Sequence, residues 1–195
     1  SAKILDPFRQ NYTAGDALFS SVDIHIKPQG LYANIELTFE IESKNDLDAN
    51  KQYEFEYLFN LPAGCILHEA YLWINNAPVK AKLYEKSEAK MVYESHIVRT
   101  TDPLIINKSG NRYEARIYPI LKNEVRRFKI CVLMPMTLRN GKPTLNLPFD
   151  LYSKNAFLKE DLIVTLDHTT NCGGMEPNED FILDFQNVNN TGYLV

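Results

Sequence analysis

Leu31, Ala33, Ile35, Leu37, Phe39 and Ile41 alternate with Tyr32, Asn34, Glu36, Thr38 and Glu40. Successive side chains on a strand point to opposite faces, so this period of two predicts one buried and one wetted face; a helix would scatter the apolar residues around its circumference. The period recurs in Val22–Ile26, Tyr53–Phe59, Ala70–Ile74, Tyr113–Ile117, Phe128–Val132, Leu162–Leu166 and Phe181–Phe185. Pro28–Gly30 supplies turn chemistry between the first two strands, and Asn45–Asn50, Asn140–Pro143 and Asn171–Pro177 mark further breaks. Many short strands separated by turns predict an all-β, antiparallel β-sandwich-like domain.

One segment departs from this period. Between Glu85 and Val98, Ala89, Val92, Tyr93 and His96 recur at helical spacing, with neither Gly nor Pro. The spacing predicts one inserted amphipathic α-helix over 85–98, of about three turns. The 195 residues then divide into an N-terminal extension (1–20), a main β domain (21–140) and additional strands packing on it (141–195). The chain starts with Ser1, which points to a piece of a longer protein.

Composition narrows the function classes. The net charge of −4 argues against nucleic acid as a partner. No apolar run approaches the ~20 residues of a membrane span, and Ser1–Asp16 mixes charges with polar residues, unlike a secretory leader. Cys65, Cys131 and Cys172 are odd in number and widely spaced, which is not a disulfide framework. One bridge with a spare thiol stays open beside the reading of three free thiols.

Candidate chemistry is sparse. Cys65 and His68 lack the third, orienting group that a thiol nucleophile needs, and no second Cys/His pair completes a metal shell. Asp46, Asp48 and Asn50 begin like a calcium loop, but Lys51 stands where Gly is required and Tyr57 where Glu is. Arg126, Arg127 and Lys129, with Lys122 nearby, form the densest basic stretch, read either as a solvated outer face or as a patch for an acidic partner. Tyr71 and Trp73 project from the side of their strand opposite Ala70, Leu72 and Ile74, suited to packing, to a neighbouring domain or to a binding surface. Asn11, Asn107 and Asn189 head glycosylation sequons, which matter only in a eukaryotic secretory setting.

Three pieces in order carry a family resemblance. Phe59-Asn60-Leu61-Pro62-Ala63-Gly64 is followed by Lys82-Leu83-Tyr84-Glu85-Lys86 leading to Ala89 and Tyr93-Glu94. Tyr113–Ile120 then turns through Lys122-Asn123-Glu124 into Val125–Leu133. From about Val22 to Leu138 the chain resembles the VIT (vault protein/inter-alpha-trypsin) domain family, with Asn123 where that family usually has Gly. The resemblance implies a non-enzymatic structural or interaction module of a larger, surface-associated or secreted protein, with extracytoplasmic placement favoured over cytoplasmic. It assigns no catalytic, cofactor-binding or metal-binding residue. The implied partner is a protein or an adjoining domain, for which von Willebrand factor A domains are candidates. They often follow VIT domains, although Asp167-His168-Thr169-Thr170-Asn171 is a poor match to their metal-binding loop. Tyr71, Trp73, Arg127 and Lys129 are the residues expected to form an interaction surface. The alternative is a glycan-binding β-sandwich that uses Tyr71, Trp73 and Tyr32 as an aromatic platform.

Overall fold

The computed structural model describes residues 2–9, 12–43, 46–85, 104–148, 151, 157–158, 162–167, 187–188 and 191–194. Its elements are β-strands: β1 (Ala2–Asp6), β2 (Tyr12–Gln29), β3 (Tyr32–Ser43), β4 (Tyr53–Asn60), β5 (Ile66–Ile74), β6 (Ala77–Lys80), β7 (Lys82–Glu85) and β8 (Leu104–Ser109). There follow β9 (Arg112–Ile120), β10 (Arg126–Pro135), β11 (Thr137–Arg139), β12 (Lys142–Thr144), β13 (Phe157–Leu158), β14 (Leu162–Asp167), β15 (Asn187–Val188) and β16 (Thr191–Leu194). The fold is all-β.

The strands form a nearly closed wall in the order β6-β5-β10-β3-β2-β1-β4-β9-β8-β7. The 18-residue β2 turns the corner: Tyr12–Asp16 pair with β1, whereas Ala17–Gln29 pair with β3. At the far side β6 lies on β5, and the chain continues through Ala81 into β7 on β8. Ala81 N donates to Ala70 O at 2.8 Å, which ties this passage to β5. The stretch 1–20, expected as an extension, contributes β1 and the first half of β2. From the stretch 141–195, β13 and β14 pair in parallel with β2. The helix expected over 85–98 is not supported by any described residue. Glu85 pairs with Lys108 in the β7–β8 ladder, so its backbone is committed to a strand, and 86–98 lie outside the described residues.

Alternation decides what is buried. Phe19, Phe39 and Phe128 from one side of the wall meet Phe55, Tyr57, Phe59 and Tyr113 from the other. Phe39 and Phe128 stack at 4.8 Å, Tyr57 and Phe59 at 4.8 Å, and Phe59 and Tyr113 at 5.4 Å. The Tyr57 hydroxyl donates to the Leu151 carbonyl, satisfying the polar end of a buried ring. Leu31, expected on the core face, instead sits exposed in the β2–β3 turn. Gly30 at φ 66° has already turned the chain there, so the alternation starts one residue later than its apolar pattern.

Turn residues explain the motifs. Asn123 has φ 58°, the left-handed conformation that Asn tolerates better than most residues and Gly adopts freely. Gly64 has φ 83°, and a methyl group added there would lie 3.2 Å from Pro135 Cγ. Gly64→Ala is therefore expected to cost about 1–2 kcal/mol of stability, read as a lower urea midpoint at unchanged slope. A midpoint equal to that of the wild type would show that this turn relaxes freely.

Candidate functional site

β5 and β10 are antiparallel neighbours, with Phe128 opposite Leu72 and Lys129 opposite Tyr71. Because Leu72 and Phe128 face the core, Tyr71, Trp73, Arg127 and Lys129 emerge together on the outer face. The Arg127 guanidinium lies 4.8 Å from the centre of the Trp73 ring, and Lys129 Nζ lies 5.2 Å from that of Tyr71. Both are cation–π distances. Arg127 is exposed and forms no ion pair with another described residue. All four residues expected as a surface are thus neighbours in space, although their two strands are far apart in sequence.

A charged lattice surrounds them. Glu36 accepts from Lys27 at 2.6 Å and from Lys129 at 3.1 Å. Burial pushes the Glu36 carboxyl up, but hydrogen bonds from these two lysines and their charge outweigh it, so it sits below its ordinary value of 4.5. A depressed folded value means that the pairing adds stability above about pH 4.5 and loses it as pH falls through the folded value. Further along, Glu69 bonds the Tyr71 hydroxyl at 2.8 Å and Lys80 at 2.7 Å. Beneath this lattice lies Cys131, only 3% exposed although it shares the outer face of its strand with Lys129. Burial pushes its thiol up to about 11, against the opposing charge of Lys129. The Cys65 thiol is raised by burial too. Both shifts disfavour the thiolate, the reactive form of cysteine.

The other candidates are held in unrelated contacts. His68 Nε2 is 2.9 Å from Asn34 Oδ1, a partner on β3 across the intervening β10 and not the Cys65 thiol. Asp46 pairs with Lys122 at 2.6 Å, and Asp48 accepts from the Asn50 backbone, as in a solvated turn. Asp167 meets His25 at 2.6 Å, whereas 168–171 lie outside the described residues, as do Cys172, Asn11 and Asn189. Asn107 is built into β8, and its amide donates to Glu114 at 3.3 Å. Among the described residues no group of three or more His, Cys, Asp or Glu is arranged to hold a metal ion. Tyr32 stands at the end of β3, away from the Trp73–Tyr71 pair.

A second charged cluster lies on the outer face of the β4–β9 pair, where Glu56 is opposite Arg116. The Arg116 guanidinium reaches Glu54 at 3.2 Å, Glu56 at 2.9 Å and Glu114 at 2.6 Å. Glu54 is 1% exposed and Arg116 15%. Burial raises the Glu56 carboxyl despite Arg116, whereas for Glu114 the charge of Arg116 overcomes burial and lowers it. Sequence reasoning passed over this cluster. Its signal was the alternation Arg112-Glu114-Arg116 in one strand and Glu54-Glu56 in another, which becomes informative only once the two are paired.

The family model of the vault protein inter-alpha-trypsin domain matches residues 19–132, more than half of the chain. The chain belongs to the VIT family. Domains of this family are interaction modules of larger proteins. The match takes in both halves of the Trp73–Arg127 surface, and β11–β16 follow it. No match was found among curated protein sequences. Among solved structures, the VIT domain is similar to an M1 zinc metallopeptidase from Deinococcus radiodurans, at 12% identity and a TM-score of 0.43, over 91% of this chain and 38% of that one. It is also similar to Legionella pneumophila aminopeptidase A in complex with aspartic acid, at 10% identity and a TM-score of 0.46, over 98% of this chain and 20% of that one. The chain thus spans well under half the length of either enzyme, and likeness at this distance carries no argument about activity.

Proposed function

We propose that this VIT domain is a non-enzymatic interaction module of a larger, surface-associated or secreted protein, and that it binds a protein partner or an adjoining domain through the outer face of β5 and β10. The observation supporting this reading is the Trp73–Arg127 and Tyr71–Lys129 pairs standing side by side on that face. Trp, Tyr and Arg dominate the energetics of protein interfaces because they combine large contact area with hydrogen-bonding ends. The Glu36 and Glu69 bonds hold Lys129 and Tyr71 in place, which lowers the entropic cost of docking. The glycan-platform reading needs open ring faces, and those of Trp73 and Tyr71 carry cations.

Crosslinking the protein in its native assembly, followed by mass spectrometry, tests the proposal. Lys80 and Lys129 should crosslink to a second protein or to an adjoining domain. Trp73→Ala should weaken the captured contact by about 2 kcal/mol or more, roughly thirtyfold in Kd. Crosslinks confined to other faces, with affinity unmoved by Trp73→Ala, would refute it.

A further inference from the structure

The wall has two ends, and they differ in chemistry. Four connections meet at one end. Tyr32 pairs with Pro135 and Ile66 with Leu133, Met136 N donates to Leu31 O at 2.8 Å, and Leu61 N donates to Asn111 O at 3.0 Å. These contacts join the β2–β3, β4–β5 and β8–β9 turns and the β11–β12 hairpin into one surface. Large apolar side chains stand out from it: Leu31 is 58% exposed, Tyr32 46%, Ile66 53% and Leu138 61%. Arg112, Arg139 and Lys142 are exposed among them. The chain has 25 Asp and Glu residues, yet none falls within 28–34, 61–68, 109–113 or 132–148, the stretches that build this end. At the opposite end Phe8, Leu121 and Val125 are exposed as well, with Arg9 beside them, but there the carboxylates of Asp46, Asp48 and Glu124 occupy the turns.

We infer that this end of the wall docks on an anionic lipid surface, with Leu31, Tyr32, Ile66 and Leu138 entering the headgroup region and Arg112, Arg139 and Lys142 meeting lipid phosphates and carboxylates. Exposed aliphatic groups set among cations, with no carboxylate in the stretches that build this end, match an interface that is apolar below and negative above. The apolar groups stand on separate turns and not in one groove. A fluid surface can meet several such tips at once, whereas a folded acidic partner would need a shaped complement to each. This face is distinct from the Trp73–Arg127 surface, so the two inferences stand or fall separately.

Sedimentation of the full chain with vesicles tests it. The protein should bind phosphatidylcholine–phosphatidylserine vesicles and should bind pure phosphatidylcholine at least about tenfold more weakly, since each cation near an anionic membrane contributes roughly fivefold. Arg139→Glu and Leu138→Ser, both on an exposed hairpin, should each weaken binding by about fivefold or more without moving the circular-dichroism spectrum. Arg9→Glu, in the exposed β1–β2 turn at the opposite end, should leave it unchanged. Absence of sedimentation with anionic vesicles at low salt would overturn the proposal, as would equal loss on Arg9→Glu. Binding to soluble polyglutamate but not to vesicles, with the same dependence on Leu138 and Arg139, would also overturn it and assign the end to an acidic protein.

Discussion

Phe39→Ala is expected to lower the free energy of unfolding by about 3–5 kcal/mol, the range for removing a buried aromatic side chain. Phe39 is fully buried and contacts rings from three strands: Phe128 at 4.8 Å, Phe19 at 5.1 Å and Tyr57 at 6.1 Å. Its neighbours cannot collapse into the space, because each is fixed by its own ladder and by rings beyond it. Tyr57 is anchored further by its bond to Leu151. Lost ring contacts add to the cavity cost, at about 0.5–1.5 kcal/mol per pair. Phe8→Ala, at a ring 62% exposed, is the control and should stay within about 0.5 kcal/mol. Urea unfolding of the three proteins compares them directly. A loss below about 2 kcal/mol for Phe39→Ala would mean that the two sides of the wall do not share one core.

Arg116→Met should be nearly as damaging at neutral pH, by about 3–5 kcal/mol, for an electrostatic reason. One guanidinium serves three carboxylates, and Glu54 among them is almost wholly removed from water. Methionine keeps an unbranched apolar stem but removes the guanidinium and leaves those charges facing each other. The carboxylates then rise above their unfolded value in the folded state, Glu56 first, since burial already pushes it up. A raised folded pKa gives stability that is full below the unfolded value and lost as pH rises through the folded one. The defect should therefore shrink as pH is lowered from about 7.5 towards 5. Unfolding curves at both pH values decide the matter; a penalty that does not change with pH would assign the loss to packing.

How much of this was legible in the sequence differs from strand to strand. Strands wet on one side could be read directly, because Ile35-Glu36-Leu37-Thr38-Phe39 alternates as its burial does. β1 could not be read, because Ala2, Ile4, Leu5 and Asp6 are all buried, so no alternation marks it. The outward direction of Tyr71, Trp73, Arg127 and Lys129 followed from periodicity within each strand. Their adjacency did not, because the β5–β10 pairing joins residues more than fifty positions apart, and local patterns do not encode which strands meet. The Arg116 cluster was hidden for the same reason. Leu31 shows the opposite failure, an apolar residue in phase with the strand but lying beyond its end.

The parallel seat of β14 on β2 has a consequence in time. His25 and Asp167, bonded across that pairing, are 142 residues apart in the chain. A ribosome adding about 5–20 residues per second takes roughly 7–28 seconds to travel from one to the other. Throughout that interval Val22–Ile26 has β3 available on one side and an open row of backbone groups on the other. Newly made copies on one messenger therefore carry the same unpaired edge at the same moment, and an unpaired edge is where nascent chains join one another. The last strands of this domain act during synthesis as the cover that ends that exposure.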